Sequence, residues 1–165
     1  MPPHDSWASY RRTVVDIRLL DGGSVRVRPA ADADKTRWPW PTAEAVHLLT
    51  AWDPGPQRPG EAVNRARQAA LDEELRRLAL PFLRAVGTDP ETGRWDEGVA
   101  VQGVPEPEAL ALASRYGQEA VFAWTPAEWT VVACHGGRRL VSGWSLARPA
   151  AAEFPFRPGF GEPMR

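Results

Sequence analysis

From Thr13 the chain alternates apolar and polar positions through "TVVDIRLLDGGSVRVRP", with a glycine-containing turn at Asp21 to Gly23. Alternation of period two on both sides of such a turn predicts a β-hairpin. Prolines break up the next stretch, "AADADKTRWPWPT", which predicts irregular structure. "AVHLLTAWD" predicts a buried strand that ends at Pro54. Its Val46, Leu48, Thr50 and Trp52 share one face, and His47, Leu49, Ala51 and Asp53 share the other. A helical period runs from about Gly60 to Leu80. After Pro81, "FLRAVG" and "EGVAVQGV" predict strands on either side of the turn "TDPETGRW". A shorter helix is expected from about Glu106 to Tyr116, stopped by Gly117. "AVFAWT", "WTVVACH" and "RLVSGWSL" predict three closing strands.

Two helices among about seven to eight strands in hairpin order predict a single α+β domain. Its sheet should be largely antiparallel, with both helices packed on it and room for one or two parallel pairs across the helical connections. Residues 1–150 are expected to form this domain, with the core at about 13–146. Residues 151–165 are expected to form an extended Pro/Phe-rich tail that either docks on the body through its three phenylalanines or is disordered.

Composition narrows the function classes. With 165 residues, 43% of them hydrophobic, the chain can bury a core without a metal or disulfide. Its formal net charge of −1 argues against bulk nucleic-acid binding. Cys134 is the only cysteine, so no intramolecular disulfide can form and a reducing compartment is the natural setting. "MPPHDSWASYRR" lacks an apolar signal core, and no window approaches the length of a membrane span. A soluble, cytoplasmic protein is expected. His4, His47 and His135 are scattered, so no metal site is expected, and no phosphate-binding or dinucleotide motif calls for a cofactor. Cys134 and His135 are strand neighbours that point to opposite faces, so Cys134 reads as inert. Of the eight tryptophans, Trp52, Trp124, Trp129 and Trp144 fall on expected strands, while Trp38 and Trp40 either pack on the domain or offer a partner surface.

Candidate site residues come from polar groups at apolar positions. On a helical projection from Val63, Arg67 falls at about 40° and Asn64 at about 100°, inside or beside the stripe of Val63, Ala66, Ala70, Leu71, Leu75 and Leu78. Arg67 therefore faces a solvent-filled cleft, snorkels to water, or pairs internally with Glu74 or Glu97. Glu97 shares a strand face with Val99 and Val101. Gln118 lies between a helix end and a strand, where it can reach a cleft or cap the helix. Asp53 and Asp89, each followed by proline, read as turn-forming residues.

"VHLLTAWDPG", "NRARQAALDEEL", "AVGTDPETGRWDEG" and "SRYGQEAVFAW", in this order, resemble the bacterial domain-of-unknown-function family numbered 3293 over about Val46 to Trp124. Asp53 stands where the family pattern has an asparagine. Val63 stands where it often has an acidic residue. The resemblance implies a small stand-alone bacterial protein without a settled activity, with Asn64, Arg67, Glu97, Gly117 and Gln118 as motif positions. Two functions follow as expectations. In one, Asn64, Arg67 and Gln118 bind an anionic small molecule and Glu97 serves as general acid or base. In the other, the Trp-rich loop and the Phe/Pro tail form the surface of a non-enzymatic interaction module.

Overall fold

The expected hairpin forms, and its turn is closed at 2.8 Å by the Leu19 N–H on the Gly23 carbonyl and by the Gly23 N–H on the Asp21 carboxylate. The computed structural model describes residues 6–54 and 58–150; the Phe/Pro tail lies outside the described residues. In chain order the elements are α1 (Ser6–Arg12), β1 (Val14–Arg18), β2 (Ser24–Ala30), a 3-10 turn at Lys35–Arg37, β3 (Val46–Leu49) and α2 (Glu61–Arg77). They continue with β4 (Phe82–Thr88), β5 (Trp95–Gln102), α3 (Glu106–Arg115), β6 (Ala120–Trp124), β7 (Trp129–Ala133) and β8 (Arg139–Ala147). The α+β domain thus has three helices rather than two. The extra one, α1, has the sequence SWASYRR and buries no residue, so it carries no apolar stripe to announce it.

The sheet closes on itself. The strand order is β1-β2-β8-β7-β6-β3-β5-β4, and β4 returns to β1 with Val15 opposite Gly87 and Ile17 opposite Ala85. Every pairing is antiparallel. The helical connections join β3 to β4 and β5 to β6, strands that are not neighbours in the barrel, so neither connection creates a parallel pair.

Alternation along the strands separates two apolar clusters. One fills the barrel with Val15, Ile17, Val25, Val27, Val46 and Leu48 and, at one end, the indoles of Trp124, Trp129 and Trp144. Trp38 and Trp40 belong to this seal: Trp38 meets Trp124 edge-on at 4.9 Å and Trp40 meets it at 6.0 Å. The Trp-rich loop is thereby engaged in packing. The second cluster lies outside the wall, where Leu49, Val99, Val101, Val121 and Val132 meet Leu71 and Leu75 of α2 and Leu112 of α3.

The buried face of α2 is Asn64, Gln68, Leu71, Asp72 and Leu75, whereas Val63 is 48% and Leu78 54% exposed. The helix is therefore rolled by roughly a quarter turn from the face of greatest apolarity. The reason is the backbone it covers. β3 stops at Leu49, and the main chain of residues 51–53 leaves the ladder still needing hydrogen-bond partners, which the polar residues of α2 supply.

Candidate functional site

Ala51 donates its N–H to Gln68 Oε1 at 3.0 Å, and Asp53 donates its N–H to Asn64 Oδ1 at 2.9 Å. Asn64 Nδ2 donates back to the Asp53 carboxylate at 2.9 Å. Arg67 spends its guanidinium on main-chain carbonyls, donating from Nε to Ala51 at 3.0 Å and from Nη2 to Tyr116. Gln118 Nε2 donates to the Trp52 carbonyl at 3.0 Å and more weakly to Tyr116 at 3.4 Å, which joins the end of α3 to the same segment. Three of the four expected site residues, Asn64, Arg67 and Gln118, thus converge on residues 51–53. Arg67 pairs with neither acid foreseen for it: Glu74 binds Arg115 and the Tyr116 hydroxyl, and Glu97 faces Arg65 at 3.6 Å.

Two positive backbone angles complete this clasp. Asp53 has φ 44°, a left-handed conformation that Asn and Asp tolerate better than most residues. Gly117 has φ 76°, and a Cβ there would lie 2.7 Å from Pro54 Cβ, so a side chain is excluded on both counts. The clasp holds Trp52 and Asp53 at the rim of a cavity.

That cavity, of about 380 Å³, occupies the end of the barrel opposite the tryptophan seal. It exists because inward positions there are small: Ala85 and Gly87 on β4, Gly98 on β5 and Ala120 on β6. Val15, Leu48 and Phe122 form its apolar wall. Gly98 is required by close approach, since a Cβ would meet the Leu49 carbonyl oxygen at 2.5 Å. At the rim stand Asp53, Arg58, Arg94 and Gln118, with Ser6, Ser9 and Tyr10 of α1 across from them. Polar contacts hold α1 in place. Glu119 accepts hydrogen bonds from the Ser6 and Tyr10 hydroxyls, and Asp89 accepts Arg12 through two nitrogens at 2.7 and 2.8 Å and the Ser9 hydroxyl at 2.8 Å. Arg12 keeps the Asp89 carboxyl well below the usual carboxylate range.

Asp96 is the distinctive group. It follows Trp95 on β5 and points inward opposite Gly87, and among the described residues its carboxylate has no hydrogen-bond or ion-pair partner. Asp96 is half-buried and lines the cavity. Burial, reinforced by the negative charge of Asp53, pushes its pKa up to about 7 despite Arg94 and Arg58. An acid poised near neutrality can both take and give a proton.

Residues 49–121 match the model of a family described as protein of unknown function (DUF3293). No curated protein and no solved structure matches the chain. The DUF3293 match runs from the end of β3 to β6 and includes the whole clasp together with Asp53, Arg58, Arg94, Asp96 and Gln118 of the cavity.

The expected residues divide by position. Gln118 lines the cavity, Asn64 and Arg67 stand behind its rim, and Glu97 lies on the helix-covered side of the wall, buried beside Arg65. Asp96 and Glu97 are neighbours on one strand and so face opposite ways. The alternation in "DEGVA" is compatible with either acid facing inward. The signal for the lumen was the set of small inward residues, Gly98 and Ala100, that accompanies Asp96. Among the described residues no cluster of His, Cys, Asp and Glu could hold a metal ion, and no helix is long and apolar enough to cross a membrane.

Proposed function

We propose that the protein binds a small molecule in the barrel-end cavity, with the ligand's apolar part against Val15, Leu48 and Phe122 and an anionic group at Arg58. The observation that carries this reading is the cavity itself. A closed eight-stranded barrel either fills with side chains or holds one small ligand, and here one half is packed with tryptophan while the other is lined by alanine and glycine. Arg58 supports the anionic part of the reading, because it stands exposed at the mouth with no hydrogen-bond or ion-pair partner among the described residues. Asn64, Arg67 and Gln118 contribute as positioning residues that hold Trp52 and Asp53 at the rim. Asp96 takes the acid–base role first considered for Glu97, since its carboxylate faces the lumen.

The test is protein-detected NMR with short aryl and alkyl carboxylates. Shifts should concentrate on Leu48, Ala85, Ala120 and Phe122, and Arg58→Gln should weaken binding about tenfold without lowering the melting temperature. Filling the cavity by Ala120→Leu should abolish the shifts in a protein that still melts cooperatively. Shifts centred on any other face, or carboxylates indifferent to both substitutions, would overturn the reading.

A further inference from the structure

Four carboxylates, Asp53, Asp89, Asp96 and Glu119, and two guanidinium groups, Arg58 and Arg94, line the cavity. Most are already committed. Asp89 is taken by Arg12 and Ser9, Glu119 accepts two hydroxyls of α1, and Asp53 is held by Asn64 and lies 3.4 Å from Arg94. Two groups of opposite sign remain, Asp96 inside and Arg58 at the mouth. They sense each other's charge without an ion pair among the described residues, and both line the same cavity, where one ligand can meet both.

We infer that the ligand is amphoteric, an amino acid with an apolar side chain or a close analogue, whose ammonium group is received by Asp96 while its carboxylate is held by Arg58. This rests on the cavity reading above and deepens it. An ammonium group suits Asp96 better than a hydroxyl because carboxylates exceed guanidinium groups on the lining, and a cation relieves that excess where a neutral donor does not. Apolar walls on Val15, Leu48 and Phe122 accommodate the side chain. The groups facing Asp96 are Asp53 from the clasped segment, Arg58 before α2, Arg94 from the β4–β5 turn and Tyr10 from α1. Burial drives the Tyr10 hydroxyl upward, so it stays neutral and supplies no competing charge. Because Asp96 binds the ammonium as its anion, binding should release a proton from the carboxyl group at neutral pH and tighten as pH rises.

The experiment uses three compounds with one body: phenylalanine, 2-phenylethylamine and 3-phenylpropionate, titrated against the full chain by NMR. Phenylalanine should bind about tenfold more tightly than either single-charge analogue. Its affinity should fall as pH is lowered from about 8 to about 5.5, while that of 3-phenylpropionate should not fall. Asp96→Asn should remove both the preference for phenylalanine and the pH dependence. The comparison of compounds and the pH profile are read on the wild-type chain, so they decide the matter even if the variant does not fold. If 3-phenylpropionate binds in the cavity as tightly as phenylalanine, the amphoteric ligand is overturned and the cavity reading survives. If none of the three perturbs the cavity residues, both are overturned.

Discussion

Asn64 and Asp53 exchange two hydrogen bonds of 2.9 Å, one through the Asp53 N–H and one through its carboxylate. The pair fixes a residue with left-handed backbone, and it joins α2 to the rim of the cavity. Asn64→Leu keeps the size of the side chain but strands the Asp53 N–H in a site that is mostly closed to water. Stability should drop by about 2–3 kcal/mol, seen as a lower denaturation midpoint with an unchanged slope. Asp53→Asn should cost far less, because an amide can keep the exchange with Asn64 after a flip and tolerates the same φ.

Arg67 gives a sharper test of the clasp. Its partners are the carbonyls of Ala51 and Tyr116, so Arg67→Met leaves the first without a donor and the second with only the long 3.4 Å bond from Gln118, and should destabilise the protein by about 2–3 kcal/mol. Adding Glu97→Gln should recover none of this loss, because Glu97 lies beside Arg65 and is not stranded when Arg67 is removed. Recovery in the double mutant, measured by urea denaturation at neutral pH, would mean that Arg67 and Glu97 are paired after all.

These residues show how far the sequence could be read. The strands were legible because β-branched residues alternate through "VVDIR" and "SVRVR", and the helix stops were legible at Pro81 and Gly117. Closure was not, since pairing of β1 with β4 joins segments about seventy residues apart and leaves no local mark. The roll of α2 was hidden because its partner is backbone, and no hydrophobic pattern records a carbonyl that needs a donor. In β5 both faces are apolar, one towards the helices and one towards the lumen, so alternation separated Asp96 from Glu97 without saying which faced a cavity.

His47 and Asp96 should give the stability curve opposing slopes. His47 is buried on the outer face of β3, neither ring nitrogen is hydrogen-bonded among the described residues, and burial lowers its pKa although Glu106 pulls the other way. The unfolded chain then binds the proton first, so stability should fall as pH drops through about 6.5, and His47→Leu should remove that fall. Asp96 acts in the opposite sense. Its pKa is raised to about 7, so the folded state binds the proton first and stability should rise as pH falls from about 8 towards the ordinary aspartate range. Asp96→Asn should abolish that rise and stabilise the protein at about pH 8 by about 1–2 kcal/mol. Denaturation midpoints of the two variants across this range separate the contributions; a wild-type slope unchanged by either would refute both assignments.

Ser6, Ser9 and Tyr10 of α1 line the cavity, so the attachment of this helix bears on the site. This helix buries no residue, yet Ser9 and Arg12 both end on Asp89, and Ser6 and Tyr10 both end on Glu119. Tyr10 also meets Phe122 of the barrel wall edge-on at 6.1 Å, and Arg138 lies over the Trp7 ring at 4.2 Å, so these ring contacts add to the polar ones; α1 should still open without unfolding the barrel. Asp89→Asn weakens this attachment selectively, because an asparagine oxygen can still accept the Glu91 N–H that shapes the β4–β5 turn while the Asp89 charge on Arg12 is gone and the exposed Glu91, 3.2 Å from Arg12, is left to hold it. Amide exchange in residues 6–12 should accelerate about tenfold, and cleavage by trypsin after Arg11 or Arg12 should appear, while exchange in β4 and β5 changes little. Asp89 is depressed in the folded state, so its hold on Arg12 is complete above the ordinary aspartate range and is lost only as pH falls through the lower folded value. Wild-type α1 should thus stay protected from about pH 5 upward, and faster exchange of α1 at neutral pH in the wild type than in Asp89→Asn would refute the attachment.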